Sequence, residues 1–146
     1  ELEKIKNFVQ LGLDYCTEKI YETYEQLRPT ISWSNIQRNG SHHGTHAHAN
    51  SILSGVFYFK TTSSTPIEFM NPIPESALKL ETKNYNPFNA RSFKANVNDG
   101  DLIIFPSTLE HGVPENREKE LRVSIAFNTF TKNGVIGSKD KLTFMG

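Results

Sequence analysis

Residues Gly40–Phe59 read GSHHGTHAHANSILSGVFYF, and four of the five histidines of the chain, His42, His43, His46 and His48, fall inside this stretch. Its centre is His46-Ala47-His48. On extended backbone, residues two apart project to the same side of a sheet, so this spacing aims both imidazoles one way. The fifth histidine, His111, lies far downstream in FPSTLEHGV. It follows an apolar run, Asp101–Phe105, and the Pro106-Ser107 punctuation, so it can approach the pair from a facing strand. Imidazole suits iron, zinc, copper and nickel, and a site needs two or three such ligands converging from separate strands. His46, His48 and His111 are therefore the candidate metal ligands. His42 and His43 lie between Gly40 and Gly44 and read as a wet loop, with a supporting or substrate-contacting role as the alternative.

Outward from this stretch the texture is that of a β protein. Ile31–Ile36, Ser51–Lys60, Ile67–Met70, Ser92–Val97, Asp101–Phe105 and Glu120–Phe130 are short, rich in β-branched and aromatic residues, and bounded by turn formers. A further short strand is expected at Leu142–Phe144. Many short strands separated by turn signals predict a sandwich or jelly-roll barrel. Upstream, Leu2, Ile5, Val9, Leu13, Cys16, Ile20, Tyr24 and Leu27 recur at spacings of three and four. That stripe predicts one helix over residues 1–28, ended by Pro29, with Gly12 as a weak point. The chain is expected to form one domain: helix 1–28, barrel core 31–130 and C-terminal extension 131–146. Asn71–Ala90, with Pro72, Pro74 and Pro87, reads as a long irregular excursion, either a lid or an ordinary insertion.

The strand from Glu120 carries a second signal. Leu121, Val123, Ile125 and Phe127 alternate with Arg122, Ser124, Ala126 and Asn128. If the second face lines a cavity, Arg122 can anchor an acidic ligand, because its planar fork binds a carboxylate in bidentate fashion.

Bulk properties exclude several classes. The chain has 146 residues, with 16 Lys plus Arg against 16 Asp plus Glu. A balanced charge lacks the basic footprint of a nucleic-acid binder. No apolar run approaches the roughly 20 residues of a membrane span, and no signal peptide is visible. The single cysteine, Cys16, forbids an internal disulfide and fits a reducing, cytoplasmic setting. Oligomeric state has no signature here.

In order, HxH, SGVFYF, GDLIIFPSTLEHGV and an RVS eleven residues after His111 resemble the 2-oxoglutarate and Fe(II)-dependent oxygenases. The likeness is greatest to a small group of members seen in phage and marine microbial sequences, and it covers roughly Ile31–Phe130. It implies a mainly β double-stranded β-helix, a jelly roll, with an N-terminal supporting helix. It implies Fe(II) as the metal, 2-oxoglutarate and O2 as cosubstrates, and hydroxylation of an unidentified primary substrate. His46 and His111 then match the first and distal metal ligands. Arg122 and Ser124 match the RxS pair that holds the far carboxylate of 2-oxoglutarate. Tyr58 matches a tyrosine that contacts the cosubstrate in relatives of the prolyl-hydroxylase type.

Position 48 departs from the pattern, which has Asp or Glu there. His48 can ligate, giving a neutral three-histidine site; it can swing away; or the site can hold another metal or none. Its side-chain direction favours ligation. Two other readings keep a jelly roll. A cupin-type metalloenzyme would account for Gly40, Gly100 and Pro106, but the expected Glu is missing near Ile52 or Leu53, and Thr108 stands where that motif has Gly. A non-catalytic jelly-roll protein with a structural metal would need a closed site.

Overall fold

A computed structural model describes residues 2–72, 81–86, 89–136 and 142–143. Helix α1 spans Leu2–Tyr15 and continues as one π-helical turn, Cys16–Ile20. The strands are β1 Leu27–Gln37, β2 His43–His46, β3 Leu53–Lys60, β4 Ile67–Met70, β5 Ser92–Ala95, β6 Leu102–Pro106, β7 His111–Val113, β8 Arg122–Thr131, β9 Val135–Ile136 and β10 Leu142–Thr143. The first eight form two antiparallel four-stranded sheets, with orders β1-β8-β3-β6 and β2-β7-β4-β5. The antiparallel pairs β1-β8, β2-β7, β3-β6 and β4-β5 lie alternately in the first and the second sheet, which is the winding of a jelly roll. β9 and β10 form a separate two-stranded ribbon.

The helix ends earlier than its apolar stripe predicts, and the reason is local. Thr17 turns its hydroxyl back onto the carbonyls of Leu13 (3.2 Å) and Asp14 (3.1 Å), competing with the helical ladder. The ladder slips to wider rings, Tyr21 N–H to Cys16 O at 2.9 Å and Thr23 N–H to Thr17 O at 3.0 Å. Glu22, at φ 48°, then redirects the chain. Ile20 and Tyr24 consequently stay exposed, while Leu27 opens β1 and reaches the core from there. Pro29 does not end a helix. It sits within β1, beside a register shift between Pro29 and Ile31, and β1 is an edge strand where a missing N–H is tolerated.

The first sheet is covered on both faces. Val9, Leu13 and Cys16 of the helical segment pack with Leu27, Leu53 and Phe127 on its outer face. Two glycines make room on this face, one in the helix and one in β3. A Cβ at Gly12 would lie 2.9 Å from Leu102 Cδ2, and one at Gly55 would lie 2.3 Å from Phe127 Cζ. The helix runs through Gly12 without a break. On the inner face Val56, Tyr58, Phe105 and Ala126 pack with Ile67, and Phe69, Ala95 and Trp33 close around them. Between the sheets lies a cavity of about 310 Å³. Of the excursion at 71–90, residues 73–80 and 87–88 lie outside the described residues, as does Phe144.

Candidate metal centre

β2 and β7 are short and glycine-bearing, and their pairing sets His46 directly opposite His111. His48 lies just past the end of β2, where its N–H donates to Ser107 O at 2.9 Å. One ligating atom from each of His46, His48 and His111 lies within 4.8 Å of the others. The ring centroids are 5.0 Å apart for 46 and 48, 4.6 Å for 46 and 111, and 5.1 Å for 48 and 111. The three predicted ligands therefore meet, two from a cross-strand pair and one from the loop beyond.

The surroundings orient these rings as a metal requires. His46 Nδ1 is 2.9 Å from Gly44 O, and His111 Nδ1 is 2.9 Å from Leu109 O. Those carbonyls accept only from an N–H, so in each neutral ring the proton sits on Nδ1 and Nε2 keeps its lone pair. His48 Nε2 lies 3.4 Å from His111 Nε2. Two imidazole nitrogens at that range need a proton or a cation between them. Burial pushes the His48 and His111 pKa values below the ordinary histidine range; the neighbouring imidazoles add to this, and at His111 the hydrogen bond to the Leu109 carbonyl partly opposes it. Both rings are thus neutral donors at neutral pH. The donor set fits a divalent transition metal.

Arg122 enters the same cavity from β8. Its side chain is 2% exposed, yet among the described residues no carboxylate pairs with it. NH1 donates to Gln37 Oε1 at 2.8 Å and to Ser124 Oγ at 3.3 Å. The guanidinium carbon lies 4.9 Å from the centroid of the Tyr58 ring, a cation–π contact. A buried cation with only neutral partners is costly unless an anion completes it. No Asp or Glu is among the described residues that line the cavity. The residues present therefore fit a ligand with a carboxylate directed at Arg122. Ser124 lines the cavity beside it; Tyr58 does not, and instead backs the guanidinium from β3.

Sequence reasoning misplaced His43 and missed one row of residues. His43 is half-buried in β2 and lines the cavity, where burial and then the nearby Arg122 depress its pKa. Trp33, Asn35 and Gln37 alternate along β1 toward the interior, with Asn35 opposite Ser124 and Gln37 opposite Arg122. Their period-two spacing was readable, but two amides among serines gave no apolar contrast to say which face is buried.

The sequence profile of the 2OG-Fe(II) oxygenase family matches residues 31–128. No curated protein matches the chain at a significant level. Among solved structures, a 2OG-Fe(II) oxygenase family oxidoreductase from Burkholderia pseudomallei aligns at 14% identity, TM-score 0.58, over 77% of this chain and 48% of its own. HygX from Streptomyces hygroscopicus with iron bound aligns at 13% identity, TM-score 0.57, over 84% and 66%. HygX with nickel and 2-oxoglutarate bound aligns at 12% identity, TM-score 0.55, over 84% and 66%. The chain spans about half the length of the first of these, and at such identities the likeness is one of fold. The sequence match from 31 to 128 runs from β1 into β8 and takes in all three clustered histidines, and on it the chain belongs to the 2OG-Fe(II) oxygenase family.

Proposed function

We propose that the chain is an Fe(II)- and 2-oxoglutarate-dependent oxygenase, acting as a hydroxylase of a substrate that its sequence does not name. The observation that carries this reading is one cavity holding both halves of the required chemistry. Three imidazole donors lie within 4.8 Å of one another, and among the described residues no carboxylate pairs with the buried guanidinium. His46, His48 and His111 would hold the metal, and Arg122 with Ser124 would hold the far carboxylate of 2-oxoglutarate. Bound Fe(II) would supply dioxygen activation that couples decarboxylation of 2-oxoglutarate to oxidation of a substrate C–H bond.

The chain's own residues bind, orient and shield. The Gly44 and Leu109 carbonyls fix the tautomers of His46 and His111, and the Ser107 carbonyl fixes the backbone at His48. Arg122 offers charge-assisted donors whose direction Gln37 and Ser124 set. Tyr58 stacks against the guanidinium and limits its swing. Trp33, Val56, Phe105 and Ala126 wall the cavity with apolar surface, which strengthens each polar contact inside. A metal held by these three residues would keep coordination positions for small molecules, the mark of a catalytic rather than a structural site.

Anaerobic titration of the Fe(II)-loaded protein with 2-oxoglutarate tests this reading. The expected result is a visible charge-transfer band and a rise in melting temperature, both lost in Arg122→Met. Absence of both in the wild-type protein would refute it.

A further inference from the structure

Among the described residues, three buried side-chain polar atoms have no hydrogen-bond partner: Gln37 Nε2, Tyr58 Oη and Arg122 Nε. All three belong to one patch. Gln37 faces Arg122 across the β1–β8 ladder, and Tyr58 lies against the guanidinium from β3, on the other side of β8. Buried unsatisfied polar groups are few in native proteins, and each one needs a physical reason.

The orientation of Gln37 is not arbitrary. Arg122 has only donors, so the 2.8 Å contact from NH1 must meet the amide oxygen. The amide NH2 is thereby turned away from the guanidinium, and its hydrogens go unmet. Gln37 is 1% exposed, so bulk solvent does not reach them. A glutamate at this position would have the same shape and reach. It would also place a negative charge against the guanidinium and cancel it. The glutamine accepts the same hydrogen bond and leaves the positive charge undiminished. The pattern is that of a splint: a neutral acceptor that aims a buried cation without neutralising it, at the expense of an unmet amide.

We infer that Gln37 is a positioning residue for the acidic cosubstrate. It fixes the Arg122 guanidinium toward the cavity while keeping it free to attract a carboxylate. This rests on the function proposed above and goes beyond it, since Gln37 acts through Arg122 rather than on the ligand.

The test uses the Ni(II)-loaded protein, in which 2-oxoglutarate binding is read by calorimetry without turnover, beside melting curves of the metal-free protein. Gln37→Glu should weaken 2-oxoglutarate by at least about tenfold, because the new carboxylate competes for the same buried charge. Its metal-free melting temperature should equal or exceed that of the wild type, because a lone buried cation gains a partner. Gln37→Leu keeps the charge and loses the splint, and should weaken binding by a smaller factor, about threefold or more. A residue with only a structural role would lower stability without this opposed pair of effects. Affinity within twofold of wild type in Gln37→Glu, or in Gln37→Leu should the first variant not fold, overturns the inference and leaves the proposed function standing. A wild-type protein that binds nickel but gives no heat with 2-oxoglutarate overturns both.

Discussion

Replacing Gly55 with alanine adds one methyl group where the helix-facing side of the first sheet has no room for it. The new Cβ would stand 2.3 Å from Phe127 Cζ, 2.8 Å from Phe127 Cε1 and 2.9 Å from the Ile103 carbonyl oxygen. Real Cβ contacts do not come so close. The phenyl ring is 2% exposed and packed among Leu13, Leu27 and Leu53, so it cannot swing aside without opening the core. The Ile103 carbonyl belongs to the β3–β6 ladder, next to the Gly55–Ile104 pair, and cannot move without loosening that ladder. Overpacking of this kind costs about 1–3 kcal/mol, and a rigid ring together with backbone places Gly55→Ala toward the top of that range. Against this, alanine loses less chain entropy than glycine on folding, worth about 0.5–1 kcal/mol. The net expectation is a loss of about 2 kcal/mol, or a fall in melting temperature of about 5–8 °C for a chain of this size. Urea unfolding followed by far-ultraviolet circular dichroism should show a lower midpoint at unchanged slope. A midpoint equal to or above the wild-type value would refute the close packing of Phe127 and the Ile103 carbonyl over Gly55 described here.

Leu13→Ala removes a fully buried side chain from the same layer and should cost about 3 kcal/mol in the same assay; a loss below about 1 kcal/mol would mean that α1 is not part of the core. Acid unfolding gives a signed test at Glu118. Its carboxylate accepts from Ser63 Oγ at 2.7 Å and Ser64 N–H at 2.8 Å, and these bonds hold its pKa below the ordinary carboxylate value. Its stabilisation is therefore fully present above the unfolded carboxylate pKa and is lost as pH falls through the lower folded value. Glu118→Gln should be less stable than wild type at neutral pH, with the gap closing in acid; a gap independent of pH would contradict this.

The architecture was legible because β3, β4 and β8 are short runs rich in β-branched and aromatic residues bounded by turn formers, with alternation added in β8, and the site was legible because the histidines cluster at HxH and recur once at His111. β2 and β7 carried no such signal. They hold four and three residues, mostly glycine and histidine, and their strand character comes from pairing with each other rather than from propensity. The helix was overextended for the opposite reason. The stripe through Ile20, Tyr24 and Leu27 is continuous in sequence, but the Thr17 hydroxyl breaks the ladder, and Leu27 reaches the same core on a strand. From its alternation alone Arg122 has two possible settings, a solvent-facing face or the lining of a cavity. It is buried because both faces of its sheet are covered, one by α1 and one by the second sheet.

The central claim is that His46, His48 and His111 together hold one divalent metal. It is tested by anaerobic loading with Fe(II), removal of excess metal and elemental analysis of the wild-type chain beside single alanine variants at the three positions. One iron per wild-type chain is expected, with iron lost in His46→Ala and His111→Ala and its retention sharply reduced in His48→Ala. Iron content unaffected by His111→Ala, or a wild-type chain that retains none, would contradict it.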